Sequence, residues 1–163
     1  MDVRRIRPDD GALLRTIRLN ALAGAPDAFA TTHAHALAYS DQMWERRAAD
    51  CAASDATSLF FAERDGEVVG LAGGFFEDGE PMPSLISMWV APSARGKGGG
   101  EALIEAVVAW VRSLGATRLQ LWVTETNAPA MALYRRMGFV ETDETQALPS
   151  HPALLERRMM REL

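Results

Sequence analysis

The segment 85–103 constrains this chain more than any other, because it places an apolar run, a proline, a basic glycine-rich loop and a periodic helix in succession. Residues 85–90 predict a buried strand, and Pro92 ends it, since proline has no N–H to give to a sheet. Residues 95–100 hold an arginine, a lysine and four glycines. Apolar residues at helical spacing follow from Leu103 to Leu114. The segment therefore predicts a strand, a basic loop and a helix.

The basic glycine loop has the composition of a phosphate-binding loop. Glycine lets the main chain turn with positive φ and lets a ligand approach the backbone closely. The free amides at the N-terminus of the following helix, with Arg95 and Lys97 beside them, favour an anion. Two common nucleotide motifs are excluded, because no Gly-Lys-Ser/Thr is present and no acidic residue follows a second strand as a dinucleotide fingerprint requires. An ordinary flexible loop is the alternative.

A second informative segment covers residues 121–139. Asn127 and Tyr134 are seven residues apart, which places them two turns apart on one helical face, with the small Ala130 between them. A polar cap, a gap and a phenol along one face suit an elongated ligand lying across the helix. The alternative is a core tyrosine that hydrogen-bonds locally.

The two segments together resemble the GNAT N-acetyltransferase superfamily. Arg95, Gly98 and Gly100 fill the fixed positions of its acyl-CoA motif, Arg/Gln-x-x-Gly-x-Gly/Ala. The second segment matches the pattern Asn-x-x-Ala-x-x-x-Tyr-x-x-x-Gly-Phe from Asn127 to Phe139. Gly99 departs from the usual pattern, since relatives carry an aliphatic residue there. The resemblance covers residues 85–142, and the rest of the chain agrees only in the order of its elements.

The resemblance implies direct transfer of an acetyl group from acetyl-CoA to a primary amine in a ternary complex. The acceptor would be a small molecule, an amino acid or a peptide N-terminus. Tyr134 is then the catalytic general acid that protonates the departing thiolate, and an ordinary phenol is protonated at neutral pH. A main-chain amide near Trp89 or Val90 would bind the developing oxyanion. The implied cofactor-binding residues are Met88, Trp89, Val90, Arg95, Gly96, Lys97, Gly98, Gly99, Gly100, Asn127, Ala130 and Tyr134.

The sequence does not identify a general base. Relatives often place a glutamate on the strand before the glycine loop, but residues 85–90 contain no carboxylate. Glu125 is the nearest candidate, and three acidic residues near position 78 are others. A water relay, or an amine that arrives deprotonated, is equally allowed. The other acidic candidates are Glu77, Asp78 and Glu80.

Three aromatic residues either line an acceptor channel or belong to the core: Phe29, Trp44 and Trp89.

Composition sets the broad class of protein. A chain of 163 residues with ordinary charge predicts one domain, residues 1–163, with a core of its own. The net charge of −5 disfavours nucleic acid as a partner and suits a cationic amine. No signal peptide or membrane-spanning run is apparent, which predicts a cytoplasmic protein with no membrane partner. The apolar Trp and Met residues leave room for a homodimer.

Metal chemistry has little support in the sequence. Cys51 is the single cysteine, so it forms no internal disulfide, and its alanine-rich surroundings predict a buried filler. His33 and His35 form a His-x-His pair without an evident third ligand. We therefore expect no metal.

The remaining pattern predicts an α/β fold of the GNAT type, with about seven mostly antiparallel strands, a parallel central pair and flanking helices. Strands are expected at 3–7, 58–63, 67–76, 85–90, 118–123, 139–142 and 156–161. The first should be an edge strand, and residues 146–153, with two prolines, should form an irregular loop. Four helices are expected. The first begins at Pro8–Asp10 with an aspartate as its cap, and the second spans 40–53 with Ser40 or Asp41 as its cap. The third follows the glycine loop, and the fourth spans 127–137.

Two other functions remain open at this stage. A non-catalytic module that binds or senses acyl-CoA would need the same loop, although it would have no use for Tyr134. An acylating toxin that acts on charged tRNA is disfavoured by the acidic balance.

Overall fold

A computed structural model describes residues 1–163, and its seven strands form one mixed sheet in the order β1-β2-β3-β4-β5-β7-β6. All neighbouring strands are antiparallel except the central pair, β4 and β5. The predicted α/β fold, with a parallel central pair and the first strand at an edge, is confirmed. The strands are β1 (Asp2–Arg5), β2 (Thr57–Arg64), β3 (Glu67–Phe75), β4 (Ser84–Val90), β5 (Arg118–Thr124), β6 (Val140–Leu148) and β7 (His151–Glu162). The helices are α1 (Gly11–Gly24), α2 (His33–Leu37), α3 (Asp41–Ala53), α4 (Gly99–Ser113) and α5 (Ala128–Arg136).

The sheet has two faces, each with its own apolar cluster. On the first face, α4 and α5 pack against alternate residues of β5, including Leu121 and Val123. On the second face, α1, α2 and α3 pack against Leu59 and Phe61 of β2. On the same face, the helical turn Pro26–Ala28 that follows α1 contacts β5. We call these the α4 face and the α1 face.

Helix boundaries follow the predicted capping residues in two of three cases. The Asn127 side chain accepts a hydrogen bond from the Ala130 N–H, and the Ser40 side chain accepts one from the Met43 N–H. Asp10 does stand at the start of α1, but its carboxylate makes no capping bond. It instead accepts hydrogen bonds from the Arg4 guanidinium and the Arg7 N–H. The expectation of an aspartate side-chain cap at this helix was therefore wrong for Asp10.

The prediction of an irregular loop at 146–153 was wrong. Strands β6 and β7 continue to a two-residue turn at Pro149 and Ser150, with Leu148 opposite His151. Pro152 is tolerated because three residues, 152–154, lie in a bulge between the His151 and Leu155 pairs. The loop was predicted from the two prolines. A proline, however, interrupts a sheet only where the neighbouring strand needs an N–H donor at that position.

The segment before α3 contains a short helix that the sequence did not predict. His33 and His35 lie in α2, and the His35 ring packs edge-on against Tyr39 at 5.3 Å. No group of three His, Cys, Asp or Glu side chains is placed to hold a metal ion. Cys51 is buried, as predicted for a filler. None of the helices combines the length and the apolar character that crossing a bilayer requires.

Candidate active site

A gap between β4 and β5 creates the main cleft of the molecule. The ladder between these strands consists of one pair, Ser84 opposite Gln120. Beyond it, residues 85–90 and 122–124 line the two sides of a cleft of about 560 Å³. A bulge accompanies the divergence, because Ser87 and Met88 of β4 stand opposite the single residue Ala72 of β3. Ser87 there has a φ of 57°, a left-handed conformation that is unusual for a residue other than glycine.

The cleft passes from one face of the sheet to the other. On the α4 face it is bounded by Gly100, Leu133 and Tyr134. On the α1 face it is bounded by the end of α1 and the turn that follows, at Ala25 and Ala28. Two molecules could therefore approach the gap from opposite sides of the sheet.

Nine of the twelve predicted cofactor residues line this cleft. The sequence predicted that Asn127, Ala130 and Tyr134 share one face of a helix, and all three lie along one wall. Lys97, Gly98 and Gly99 do not line it. The lining residues from the predicted set are Met88, Trp89, Val90, Arg95, Gly96, Gly100, Asn127, Ala130 and Tyr134.

The glycine loop presents unpaired main-chain amides at the mouth of the cleft. Gly98 is the N-cap of α4 with a φ of 82°, and no side chain caps the helix there. Gly96 also has a positive φ, 71°. Because these conformations suit glycine, the loop can expose the N–H groups of the first turn of α4. The amides and the helix dipole together form a site for an anion.

The two cations of the loop carry no carboxylate partner. The Arg95 Nε donates to the Val90 carbonyl at 3.0 Å, and the Lys97 Nζ donates to the Ser93 carbonyl at 3.2 Å. Both side chains are exposed, and neither takes part in an ion pair. Arg136, a third cation at the cleft, pairs with Glu101 at 3.3 Å. The sequence analysis did not single out Arg136.

Gly100 allows α4, α5 and β4 to meet closely. A Cβ at this position would lie 2.9 Å from Leu133 Cδ2 and 3.3 Å from Met88 Cε. A larger side chain would have to displace these groups or project into the cleft. At Gly99, by contrast, a Cβ would meet the flexible end of Met1 at 3.2 Å. The departure from the family pattern at Gly99 therefore leaves the cleft itself unchanged.

Tyr134 is almost completely buried, and its phenol reaches the cleft wall. Its ring packs edge-on against Phe139, with 5.9 Å between the ring centroids. Burial raises the pKa of the Tyr134 phenol above its ordinary value, and no hydrogen bond opposes this effect. The hydroxyl is therefore protonated throughout the neutral range and able to donate a proton.

The carboxylates proposed from sequence as bases lie elsewhere. Glu125 follows β5 and accepts two hydrogen bonds from Arg157, at 2.6 and 3.1 Å, outside the cleft. Glu77, Asp78 and Glu80 are exposed in the turn between β3 and β4. Of the three aromatic residues, Trp89 lines the cleft, whereas Phe29 and Trp44 are buried in the apolar cluster of the α1 face.

Comparison with known proteins gives a consistent picture. The model of the acetyltransferase (GNAT) family matches residues 25–139. A streptothricin acetyltransferase from Streptomyces lavendulae is 36% identical over 86 residues, which are 53% of this chain and 46% of that protein. A mycothiol acetyltransferase from Saccharomonospora viridis is 38% identical over 99 residues, covering 55% of this chain and 32% of that one. The chain thus spans less than half the length of these relatives.

Solved structures match nearly the whole chain. A GNAT-family acetyltransferase from Streptococcus pneumoniae superimposes with a TM-score of 0.84 and 21% identity, over 99% of this chain and 98% of the other. A protein from Salmonella typhimurium, solved with its cofactor acetyl-CoA, has a TM-score of 0.80 and 18% identity, over 100% and 94% of the two chains. At these identities the likeness is one of fold.

Proposed function

The chain belongs to the acetyltransferase (GNAT) family, and on that premise we propose that it transfers an acetyl group from acetyl-CoA to a primary amine. The observation that carries the proposal is the cleft between β4 and β5, where both sequence motifs and Tyr134 meet in one space open to both faces of the sheet. The acceptor class is a small molecule, an amino acid or a peptide N-terminus.

The residues present fit acetyl-CoA. The amides of residues 96–101 and the unpaired cations Arg95 and Lys97 suit the pyrophosphate. The side of β4 released from β5 has main-chain groups with which an extended pantetheine arm could pair as an added strand. Acetyl-CoA supplies a thioester, whose carbonyl is attacked by an amine and whose thiolate leaves.

The chain's own groups act at defined atoms of this exchange. An amide near Trp89 or Val90 donates to the carbonyl oxygen as negative charge develops on it. Tyr134 gives its hydroxyl proton to the departing sulfur and regains one from solvent. Asn127, which lines the cleft at the N-terminus of α5, would contact the cofactor arm. The proton lost by the attacking amine requires a separate acceptor.

The first test is calorimetric titration with acetyl-CoA and with CoA. The wild type should bind both saturably, and Gly100→Glu should abolish binding, because its side chain enters the cleft against Leu133 and Met88. Gly79→Glu is the control: it introduces the same side chain in the exposed turn between β3 and β4, outside the cleft. Absence of binding by the wild type would reject the acetyltransferase function.

Turnover separates the enzyme from a non-catalytic acyl-CoA sensor. Thiol release from acetyl-CoA should be measured with streptothricin, spermidine and an alanine-initiated peptide as three chemically distinct primary amines. Streptothricin is included because of the relative named for it. Acceptor-dependent release of CoA supports an enzyme, whereas tight binding without release for any amine would favour the sensor.

A further inference from the structure

One buried carboxylate lies beside the cleft on the α1 face, and the sequence motifs do not include it. Along β5, Val123 belongs to the apolar cluster of the α4 face, whereas the Thr124 hydroxyl donates to the Asp27 carbonyl after α1 at 2.6 Å. Side chains alternate along a strand, so Trp122 and Thr124 face α1. Glu156 of β7 is paired directly with Thr124. Its side chain therefore shares the α1 face with Thr124, which lines the cleft.

Glu156 does not itself line the cleft, but it lies one strand away from the cleft wall at Thr124. Directly opposed residues of an antiparallel pair have Cβ atoms about 4.5–5.5 Å apart. The glutamate side chain spans a comparable length. Because α4 and the glycine loop occupy the opposite face, the α1 face is the side from which an acceptor can reach the gap.

The Glu156 carboxylate is buried without a cationic partner. The residue is 8% exposed, and it forms no ion pair. Its hydrogen-bond donor is the Gln146 side chain, whose Nε2 lies 2.6 Å from Oε1. A buried carboxylate normally has a paired cation, because desolvation of an isolated charge is costly.

The charged groups around Glu156 are already engaged with one another. Arg158, next on the same face of β7, pairs with Glu144 of β6 and donates to Gln120 of β5. Above this end of the sheet, His151 contacts Asp27 at 3.1 Å. Thus no lysine, arginine or histidine in the structure forms an ion pair with Glu156. Its carboxylate is therefore available to pair with a cationic group of a bound molecule.

The other carboxylates near the cleft lack this combination. The side chain of Glu125 lies on the α4 face, like that of Val123 two residues earlier, because side chains alternate along a strand. Glu125 is also paired with Arg157. Glu101 lines the cleft in the first turn of α4, where it is paired with Arg136. Glu156 alone is buried, unpaired with a cation and next to the α1 side of the cleft.

We propose that Glu156 binds the ammonium group of the acceptor and accepts its proton during acetyl transfer. This inference rests on the proposed function. The N–H bond of the acceptor breaks, its proton moves to Glu156, and the nitrogen lone pair forms the bond to the acetyl carbon. The carbon–sulfur bond then breaks, and the thiolate takes the proton of Tyr134. The nitrogen, still carrying one proton too many after the attack, releases that second proton to solvent, so that a neutral amide forms. Glu156 afterwards releases its proton to solvent.

The protonation behaviour of Glu156 suits this role. Burial raises the pKa of Glu156 above the usual glutamate value, although the hydrogen bond from Gln146 partly opposes the rise. A base with a raised pKa accepts a proton more readily once it is ionised. kcat/KM should therefore fall as the pH drops through this raised pKa.

The test compares Glu156→Gln with Glu156→Asp and Glu162→Gln. Glu162 lies on the same strand and the same sheet face but is exposed at the other end, so it is the matched control. With the best acceptor among streptothricin, spermidine and the alanine-initiated peptide, kcat/KM of Glu156→Gln should fall about 100-fold. Glu156→Asp should recover part of this loss, and Glu162→Gln should match the wild type.

Two further readouts exclude a merely structural effect. The Kd of Glu156→Gln for acetyl-CoA should equal that of the wild type. Its melting temperature should equal or exceed the wild-type value, since the variant removes a charge that is costly to bury. The acidic limb of the kcat/KM profile should disappear in Glu156→Gln, leaving activity that rises with deprotonation of the amine itself. It should persist in His151→Asn, which removes the imidazole that contacts Asp27 above this end of the sheet.

The outcomes distinguish the two proposals. Turnover by the wild type with an unchanged kcat/KM or an unchanged acidic limb in Glu156→Gln would overturn the role of Glu156 alone. So would loss of activity in Glu125→Gln together with normal activity in Glu156→Gln. Failure of the wild type to acetylate any of the three amines would overturn the proposed function and this inference with it.

Discussion

Ser84 and Gln120 form the single pair through which β4 and β5 run side by side, and the Gln120 N–H donates to the Pro83 carbonyl at 3.0 Å. No residue of β4 after Ser84 forms a further ladder pair with β5. The bulge at Ser87 and Met88 bends the strand at the same place. Residues from both sequence motifs line the gap that results, so the site depends on the point at which these two strands separate.

Replacement of Tyr134 by phenylalanine tests the general acid. Tyr134→Phe keeps the ring packed on Phe139 but removes the proton donor. We expect kcat to fall about 100-fold, while the Kd for acetyl-CoA stays within about threefold of the wild-type value. Tyr39→Phe is the matched control, because Tyr39 is the other tyrosine and packs against Trp44 outside the cleft. A normal kcat in Tyr134→Phe would contradict the assignment.

Asn127→Ala should separate helix capping from cofactor binding. Asn127 caps α5 at 3.3 Å, and Ser40 caps α3 at 3.2 Å, but Asn127 alone lines the cleft. Loss of either cap should lower the free energy of unfolding by about 1 kcal/mol in urea titrations. Only Asn127→Ala should also weaken acetyl-CoA binding in calorimetry. Equal acetyl-CoA affinities for Asn127→Ala and Ser40→Ala would argue that Asn127 has a structural role alone.

Asp10 should make stability depend on acid pH. Burial acts to raise the pKa of Asp10, but hydrogen bonds from Arg4 at 2.7 Å and from the Arg7 N–H at 2.7 Å outweigh it and hold the pKa below its usual value. Because the folded-state pKa is the lower one, the stabilisation is complete above the ordinary aspartate pKa of about 3.9 and is lost as pH falls through the folded-state value.

Asp10→Asn should therefore reduce the melting temperature at pH 7, and the difference from the wild type should shrink at about pH 3 and below. Asp9→Asn, at an exposed neighbouring position without an ion pair, provides the comparison. A deficit in Asp10→Asn that remained constant with pH would exclude this linkage.

Arg18 carries a buried charge that the fold does not neutralise. Its side chain has no carboxylate partner, its Nη1 has no hydrogen-bond partner, and its guanidinium lies 4.7 Å from the centre of the Phe29 ring. Burial, and next the charge of Arg47, lower the pKa of Arg18 to about 10. Arg18→Met keeps the length of the side chain without the charge.

Because removal of an unpaired buried charge relieves its desolvation, Arg18→Met should raise the free energy of unfolding by about 1 kcal/mol. Arg15→Met, on the more open side of the same helix, should change it little. Urea unfolding measures both. A clear loss of stability in Arg18→Met would mean that the contact with Phe29 outweighs the cost of burial.

Local sequence patterns predicted the elements that depend on local physics. Asn127 and Ser40 cap helices because their side chains reach N–H groups three residues ahead. Gly138 follows the end of α5 with a φ of 87°, the left-handed conformation typical of a glycine that ends a helix. Asp65 and Gly66, a dipeptide typical of tight hairpin turns, connect β2 and β3, both with positive φ.

Predictions failed where distant strands decided the outcome. Pro149 and Pro152 indicated a loop, but pairing with β6 and β5 extends β7 to twelve residues and confines Pro152 to a bulge. The same strand brings Glu156 opposite Thr124, 32 positions away in the chain. No short-range motif encodes that pairing, so Glu156 could not be singled out from the sequence.

The sequence by itself determined the glycine loop at the start of α4, the shared face of Asn127 and Tyr134, and the family to which these motifs point. Each of these depends on residues within two or three helical turns, where spacing fixes geometry. The tertiary structure alone decided that β4 and β5 part after one residue pair, and that Glu125 and Glu156 face opposite sides of the sheet. Strand register sets these relationships, because a shift of one residue turns every side chain to the other face.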